Sequence, residues 1–170
     1  MDSLERMVRE TRQSVFSNMR KTRPGKYDAL IFALQNFTYL MLIPTGGNIA
    51  EARKRGEFFS TYYAFHRLVD DFTDGDAELP ETAKSRQEYV EQRLSFALNP
   101  ANPRDHADYA LLLCYVRSEQ LGFDIREETA YILNSMLFDA KRAESAERTG
   151  KGIIFPAAEL YNHFNMLDIK

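Results

Sequence analysis

Apolar residues recur three and four positions apart along nearly the whole of this chain, and no stretch alternates in the two-residue fashion of a half-buried strand. That periodicity predicts an all-α fold. Leu4, Met7, Val8, Val15, Phe16 and Met19 form one stripe, which stops before Arg23-Pro24-Gly25. A second, more apolar helix is expected over about 27–43, ended by Pro44 and turned by Thr45-Gly46-Gly47. Asn48 can cap a third, which carries Phe58, Tyr62, Phe65, Leu68 and Val69 toward a run of aspartates and closes at Gly75 and Pro80. Pro80-Glu81-Thr82 is expected to open a charged helix toward Leu98, with residues 84–93 as a solvated face. Past the break at Asn99-Pro100-Ala101-Asn102-Pro103, helices follow over about 105–121 and 126–146. Asp105-His106-Ala107-Asp108 reads as N-cap chemistry, and Glu127 and Glu128 sit where the helix dipole favours acids. Residues 148–152 read as a basic loop without phosphate-loop spacing, and a last helix starts near Pro156. About seven helices in 170 residues make a single helical domain over 1–170.

Composition excludes several classes. Lys and Arg number 22 against 25 Asp and Glu, a net charge of −3, so the chain has no global basic field for nucleic acid. The single Cys114, inside Leu-Leu-Leu-Cys-Tyr, reads as a small buried apolar residue and leaves no disulfide to form within the chain. The N-terminus lacks the basic start and apolar core of a signal peptide. The most apolar run, 29–44, is interrupted by Gln35, Asn36 and Thr38 and is shorter than the ~20 residues that span a bilayer. A cytoplasmic location is expected, with peripheral membrane contact left open and a greasy helix able to line a lipid-like pocket.

Function is concentrated in Tyr62-Tyr63-Ala64-Phe65-His66-Arg67-Leu68-Val69-Asp70-Asp71-Phe72-Thr73-Asp74-Gly75-Asp76. On a helix, Asp70 and Asp74 are one turn apart, with Cβ atoms roughly 6 Å from each other, and Arg67 lies one turn earlier. Carboxylates that close raise each other's pKa unless a cation sits between them, and acids at a helix C-terminus are disfavoured by its dipole. A hard divalent ion such as Mg²⁺, bound through one or two carboxylates and phosphate oxygens, suits such a cluster. Other readings stay open: a solvated helix end, an Arg67 that only pairs with Asp70 or Asp71, or a transition-metal site from His66, Asp70 and Asp74 at i, i+4 and i+8. Asp139 before Lys141-Arg142 is compatible with a surface ion pair.

The segment Tyr-Tyr-Ala-Phe-His-Arg-Leu-Val-Asp-Asp-Phe-Thr-Asp-Gly resembles the first aspartate-rich motif of the squalene/phytoene synthase family, class I head-to-head prenyltransferases. Asn36-Phe37-Thr38-Tyr39 through Pro44 is similar to that family's N-terminal Ser-Phe segment. Met136-Leu137-Phe138-Asp139, followed by Glu159-Leu160-Tyr161, is similar to its mid-chain segment, with His163 as the best match to the tyrosine after Glu-Leu. The resemblance covers roughly the front half of such an enzyme and implies a partial class I terpenoid-synthase bundle. It implies that Asp70 and Asp74 ligate Mg²⁺, that Asp71 supports them, that Arg67 holds a diphosphate, and that Phe37, Tyr63 and Phe138 face an isoprenoid chain, with Asp139 beside them. His66 stands where the family has Cys, and the family's second aspartate-rich motif is absent.

The expected function is therefore Mg²⁺-dependent binding and conversion of an isoprenyl diphosphate, by prenyl transfer or terpene synthesis. Two alternatives stand beside it: a non-catalytic subunit or partner-binding protein on the same fold, and a helical His/Asp metalloprotein. The apolar stripe of Leu160, Phe164 and Leu167 is expected to be covered, by a homo- or hetero-oligomeric partner or by a continuation of the polypeptide.

Overall fold

The computed structural model of the protein describes residues 2–22, 25, 28 and 39–150. Among them there is no strand, and the fold is all-α. Five helices have defined bounds: α1 (Asp2–Thr22), α2 (Ile49–Asp74), α3 (Arg86–Leu98), α4 (His106–Gln120) and α5 (Arg126–Thr149). Residues 39–42 are also helical and run into the turn that precedes α2. No helix among the described residues is long and apolar enough to cross a membrane. Phe37, Glu159, Tyr161, His163 and the helix expected from Pro156 lie outside the described residues.

The chain divides into two compact units. The first comprises Met1–Leu68 and Pro103–Asp124, and here α1 packs on α4. Its core takes Met19 from α1, Ala52, Phe58, Ala64 and Phe65 from α2, and Ala107, Ala110, Leu111, Cys114 and Tyr115 from α4. On α4 these residues recur at three- and four-residue spacing, the stripe by which a helix faces a neighbour. Phe58 stacks on Tyr62 (5.6 Å between centroids) and meets Phe123 edge-on at 5.2 Å. Arg12 Nη1 donates to Ser60 Oγ at 3.1 Å, tying α1 to α2.

The second unit comprises Val69–Asn102 and Ile125–Lys170 and is built on the pairing of α3 with α5. Tyr89, Val90, Phe96 and Ala97 of α3 are buried, as are Leu133, Ala140 and Thr129 of α5. The Gln87 backbone N–H donates to Glu144 Oε1 at 3.0 Å, and Arg86 Nη2 lies 2.9 Å from Glu147 Oε1. The Phe72 ring meets Tyr89 at 4.8 Å.

Two expected caps are present. Asn48 Oδ1 accepts from the Glu51 N–H at 3.1 Å, and Asp105 Oδ1 accepts from Ala107 and Asp108 at 3.0 and 3.1 Å. Two boundaries differ from expectation. The helix expected from Pro80 begins only at Arg86, after a turn in which the Ala83 N–H reaches the Pro80 carbonyl. The start belongs to Ser85, whose Oγ accepts from the Glu88 N–H at 3.0 Å, while Glu88 Oε2 accepts from the Lys84 N–H at 2.8 Å. Ser85 thus caps the first turn, while the Glu88 carboxylate reaches the N–H of Lys84, the residue before the cap, in a variant of the Ser-x-x-Glu capping box. At the other boundary, Arg148 and Thr149 belong to α5 rather than to a loop. The first residue able to stop the helix is Gly150, at φ +64°, which donates back to the Ala146 carbonyl.

Candidate functional site

The aspartates form the end of α2. Helical spacing stacks Asp70 and Asp74 one turn apart and turns Asp71 roughly 100° away from Asp70. Their surroundings differ. Asp70 is half-buried, Asp71 is only 2 % exposed, and Asp74 and Asp76 stand in solvent. Thr73, on the same turn, is buried and donates to the Val69 carbonyl at 2.8 Å. The last turn of α2 holds no basic residue, and its carboxylates sit at the negative end of the helix dipole.

Gly75 ends the helix. At φ +78° it occupies the left-handed region, its N–H reaching the Phe72 carbonyl at 3.4 Å while the Ala77 N–H reaches the Asp71 carbonyl at 3.1 Å. A Cβ added at Gly75 would lie 2.7 Å from Arg86 Nη2, the guanidinium that meets Glu147. The aspartate turn is therefore followed at once by a position that glycine alone fills without strain.

Along the same helix, in the first unit, His66 is packed edge-on against Tyr62 at 4.5 Å and Phe65 at 4.9 Å. Neither of its ring nitrogens is exposed or has a hydrogen-bond partner among the described residues. Burial lowers its pKa from 6.5 to about 4, so the imidazole is neutral at physiological pH. Arg67 is half-buried and Tyr63 borders on exposed. Asp70, Asp71, Asp74, Phe138 and Asp139 fall in the second unit, whereas Tyr63, His66 and Arg67 fall in the first. Phe138 and Asp139 are both half-buried on α5, and Asp139 Oδ1 lies 3.3 Å from Arg142 Nη2, an ion pair one turn apart.

Among the described residues, no group of three or more His, Cys, Asp and Glu side chains is arranged to hold a metal ion. His66, Asp70 and Asp74 thus make no three-ligand transition-metal set. Two carboxylates remain, one half-buried and one in water. That donor set fits Mg²⁺, which keeps several waters and is commonly held by one or two carboxylates with phosphate oxygens from its substrate.

The stretch 84–93, expected to be a solvated face, conceals a buried cation. Arg93 is fully buried, and its Cζ lies 4.8 Å from the centroid of the Tyr89 ring. The signal is in the spacing: Arg93 stands in the middle of the buried series Tyr89, Val90, Phe96 and Ala97. Counting charges along 84–93 obscures this, whereas counting turns reveals it. Asp108 is similarly concealed: fully buried, it accepts at Oδ2 from the Arg104 backbone N–H at 3.0 Å and from Arg104 Nε at 3.2 Å. Comparison of the chain with protein-family models, with curated proteins and with solved structures found no match in any of the three.

Proposed function

We propose that this protein is a cytoplasmic enzyme that binds an isoprenyl diphosphate with Mg²⁺ held by Asp70 and Asp74, and ionises it for prenyl transfer or terpene synthesis. The observation that carries this reading is the last turn of α2: carboxylates one turn apart, at the negative end of a long aromatic-rich helix, with no basic residue in that turn. Bound there, Mg²⁺ would offset the charge that develops on the departing diphosphate. Arg67, one turn earlier on the helix, offers paired N–H donors suited to phosphate oxygens. Asp71 is buried beside the half-buried Asp70 and serves to brace the turn rather than to meet substrate. Phe37, Tyr63 and Phe138 are the proposed contacts of the apolar chain, with Asp139 beside them. Breaking the allylic C–O bond needs no general base, so these groups have to bind, orient and exclude water.

Calorimetric titration of a non-hydrolysable farnesyl diphosphate analogue, with and without Mg²⁺, tests the reading. Wild-type protein is expected to bind only with Mg²⁺, and Asp70→Asn/Asp74→Asn to lose that binding with its helix content intact. Binding that persists in the variant, or that ignores Mg²⁺, would overturn it. A second reading, a non-catalytic binding protein on the same fold, draws on the lack of a third metal-ligating side chain among the described residues. Mg²⁺-dependent binding of the analogue without turnover of farnesyl diphosphate would favour it.

A further inference from the structure

The segment 39–49 in the first unit exposes large apolar side chains at a density the rest of the described chain does not match. Tyr39 is 70 % exposed, Leu40 58 %, Ile43 85 % and Ile49 70 %. Single exposed apolar residues are ordinary on protein surfaces, but several crowded into one short segment mark a place where something apolar is met.

The backbone of this tip is closed on itself. Pro44 has no N–H to satisfy. Thr45 donates to the Met41 carbonyl at 3.2 Å, Gly46 to Ile43 at 3.1 Å, Gly47 to Leu42 at 2.8 Å and Asn48 to Thr45 at 3.2 Å. The Thr45 hydroxyl also donates to the Met41 carbonyl, at 2.6 Å. Gly46 and Gly47, at φ +61° and +84°, make the reversal in the left-handed region that glycine favours. A turn whose N–H groups are satisfied internally can enter a low-dielectric medium without the cost of a bare donor, which is the condition lipid imposes on any backbone entering it.

Charge narrows the occupant. Within residues 39–55 the chain has three basic residues, Arg53, Lys54 and Arg55, and one acid, Glu51, giving +2 against −3 for the whole chain. Glu51 is engaged by Arg55 at 3.0 Å, while Arg53 and Lys54 are exposed one turn beyond the apolar tip. Aliphatic and tyrosine side chains at a tip, with basic residues just behind, match the layering of a bilayer surface. Apolar groups and Tyr enter the headgroup–acyl boundary, and cations meet anionic headgroups.

We propose that residues 39–54 dock the protein on a bilayer containing anionic lipid. Tyr39, Leu40, Ile43 and Ile49 enter the interface, and Arg53 and Lys54 pair with the headgroups. This surface goes beyond the diphosphate reading and its test uses neither diphosphate nor Mg²⁺, so either can fail alone.

The chain has no tryptophan, so Ile43→Trp places a single reporter at the tip. Its emission, read against vesicles of phosphatidylcholine alone and of phosphatidylcholine with phosphatidylserine, should shift to the blue with the anionic vesicles and return as salt is raised. Adding Arg53→Glu and Lys54→Glu should weaken partitioning by roughly 30-fold or more, since each basic residue near an anionic surface contributes about 1 kcal/mol. Leu40→Glu with Ile43→Glu, in sedimentation with the same vesicles, should abolish binding while circular dichroism stays unchanged, because both side chains lie in solvent in the free protein. No blue shift with anionic vesicles, or binding unaffected by these substitutions, overturns the proposal. A shift that follows protein concentration without lipid overturns it too, and assigns the tip to a second copy of the chain.

Discussion

His66 is an imidazole with no hydrogen-bond partner among the described residues, packed against Tyr62 and Phe65, with its pKa lowered to about 4 by burial. An unfolded chain binds its proton near pH 6.5, so between pH 6.5 and 4 the unfolded state holds more proton than the folded one, and stability falls as pH falls through that window. The loss attributable to His66 is at most about 3 kcal/mol, complete once pH is below 4. Urea denaturation across this range should show the slope in the wild type and a flatter one in His66→Phe; equal slopes would place the acid sensitivity elsewhere. Cys114 is the companion case. Burial pushes its thiol pKa far up, so the native protein should resist iodoacetamide at pH 8 and react on unfolding, which mass spectrometry can follow. The sequence placed Cys114 correctly, because a cysteine amid leucines on a helical stripe has one sensible destination. A lone histidine on an aromatic stripe likewise reads as a packed polar residue, and His66 is one; that both its ring nitrogens are buried without a partner among the described residues depends on how Tyr62 and Phe65 are turned.

At the scale of the element, helix interiors were legible and helix ends only in part. Asn48 and Asp105 cap as their chemistry demands, yet the helix expected from Pro80 starts behind Ser85, whose hydroxyl caps the Glu88 N–H. Arg93 shows the same limit: its charge suggests water, but its register on α3 puts it inside. The end of α2 offers the sharpest test, because Gly75 is both left-handed and close to Arg86. Gly75→Ala should cost about 1–2 kcal/mol from backbone strain, with more if Arg86 is pushed off Glu147, and chemical denaturation should reveal it. A variant as stable as the wild type would mean that the turn after the aspartates relaxes without penalty.

At the scale of the whole molecule, each unit rests on its own buried set, and Leu133 of α5, the helix paired with α3, is fully buried. Leu133→Ala should destabilise the protein by about 3 kcal/mol, read as a lower urea midpoint, whereas Asp74→Asn on the exposed turn should leave that midpoint nearly unmoved. The all-α class followed from the sequence by itself, because a 3.6-residue period can bury its stripe only as helices. So did the stacking of Asp70 over Asp74, which is a property of any helix that carries them. What the tertiary structure decided is environment: that Asp71 rather than Asp74 is the buried carboxylate, that Arg93 is inside, that Ile43 is outside, and that no third ligand joins the aspartates among the described residues. Local spacing fixes which residues share a face. Which face meets water depends on distant segments brought together only by folding.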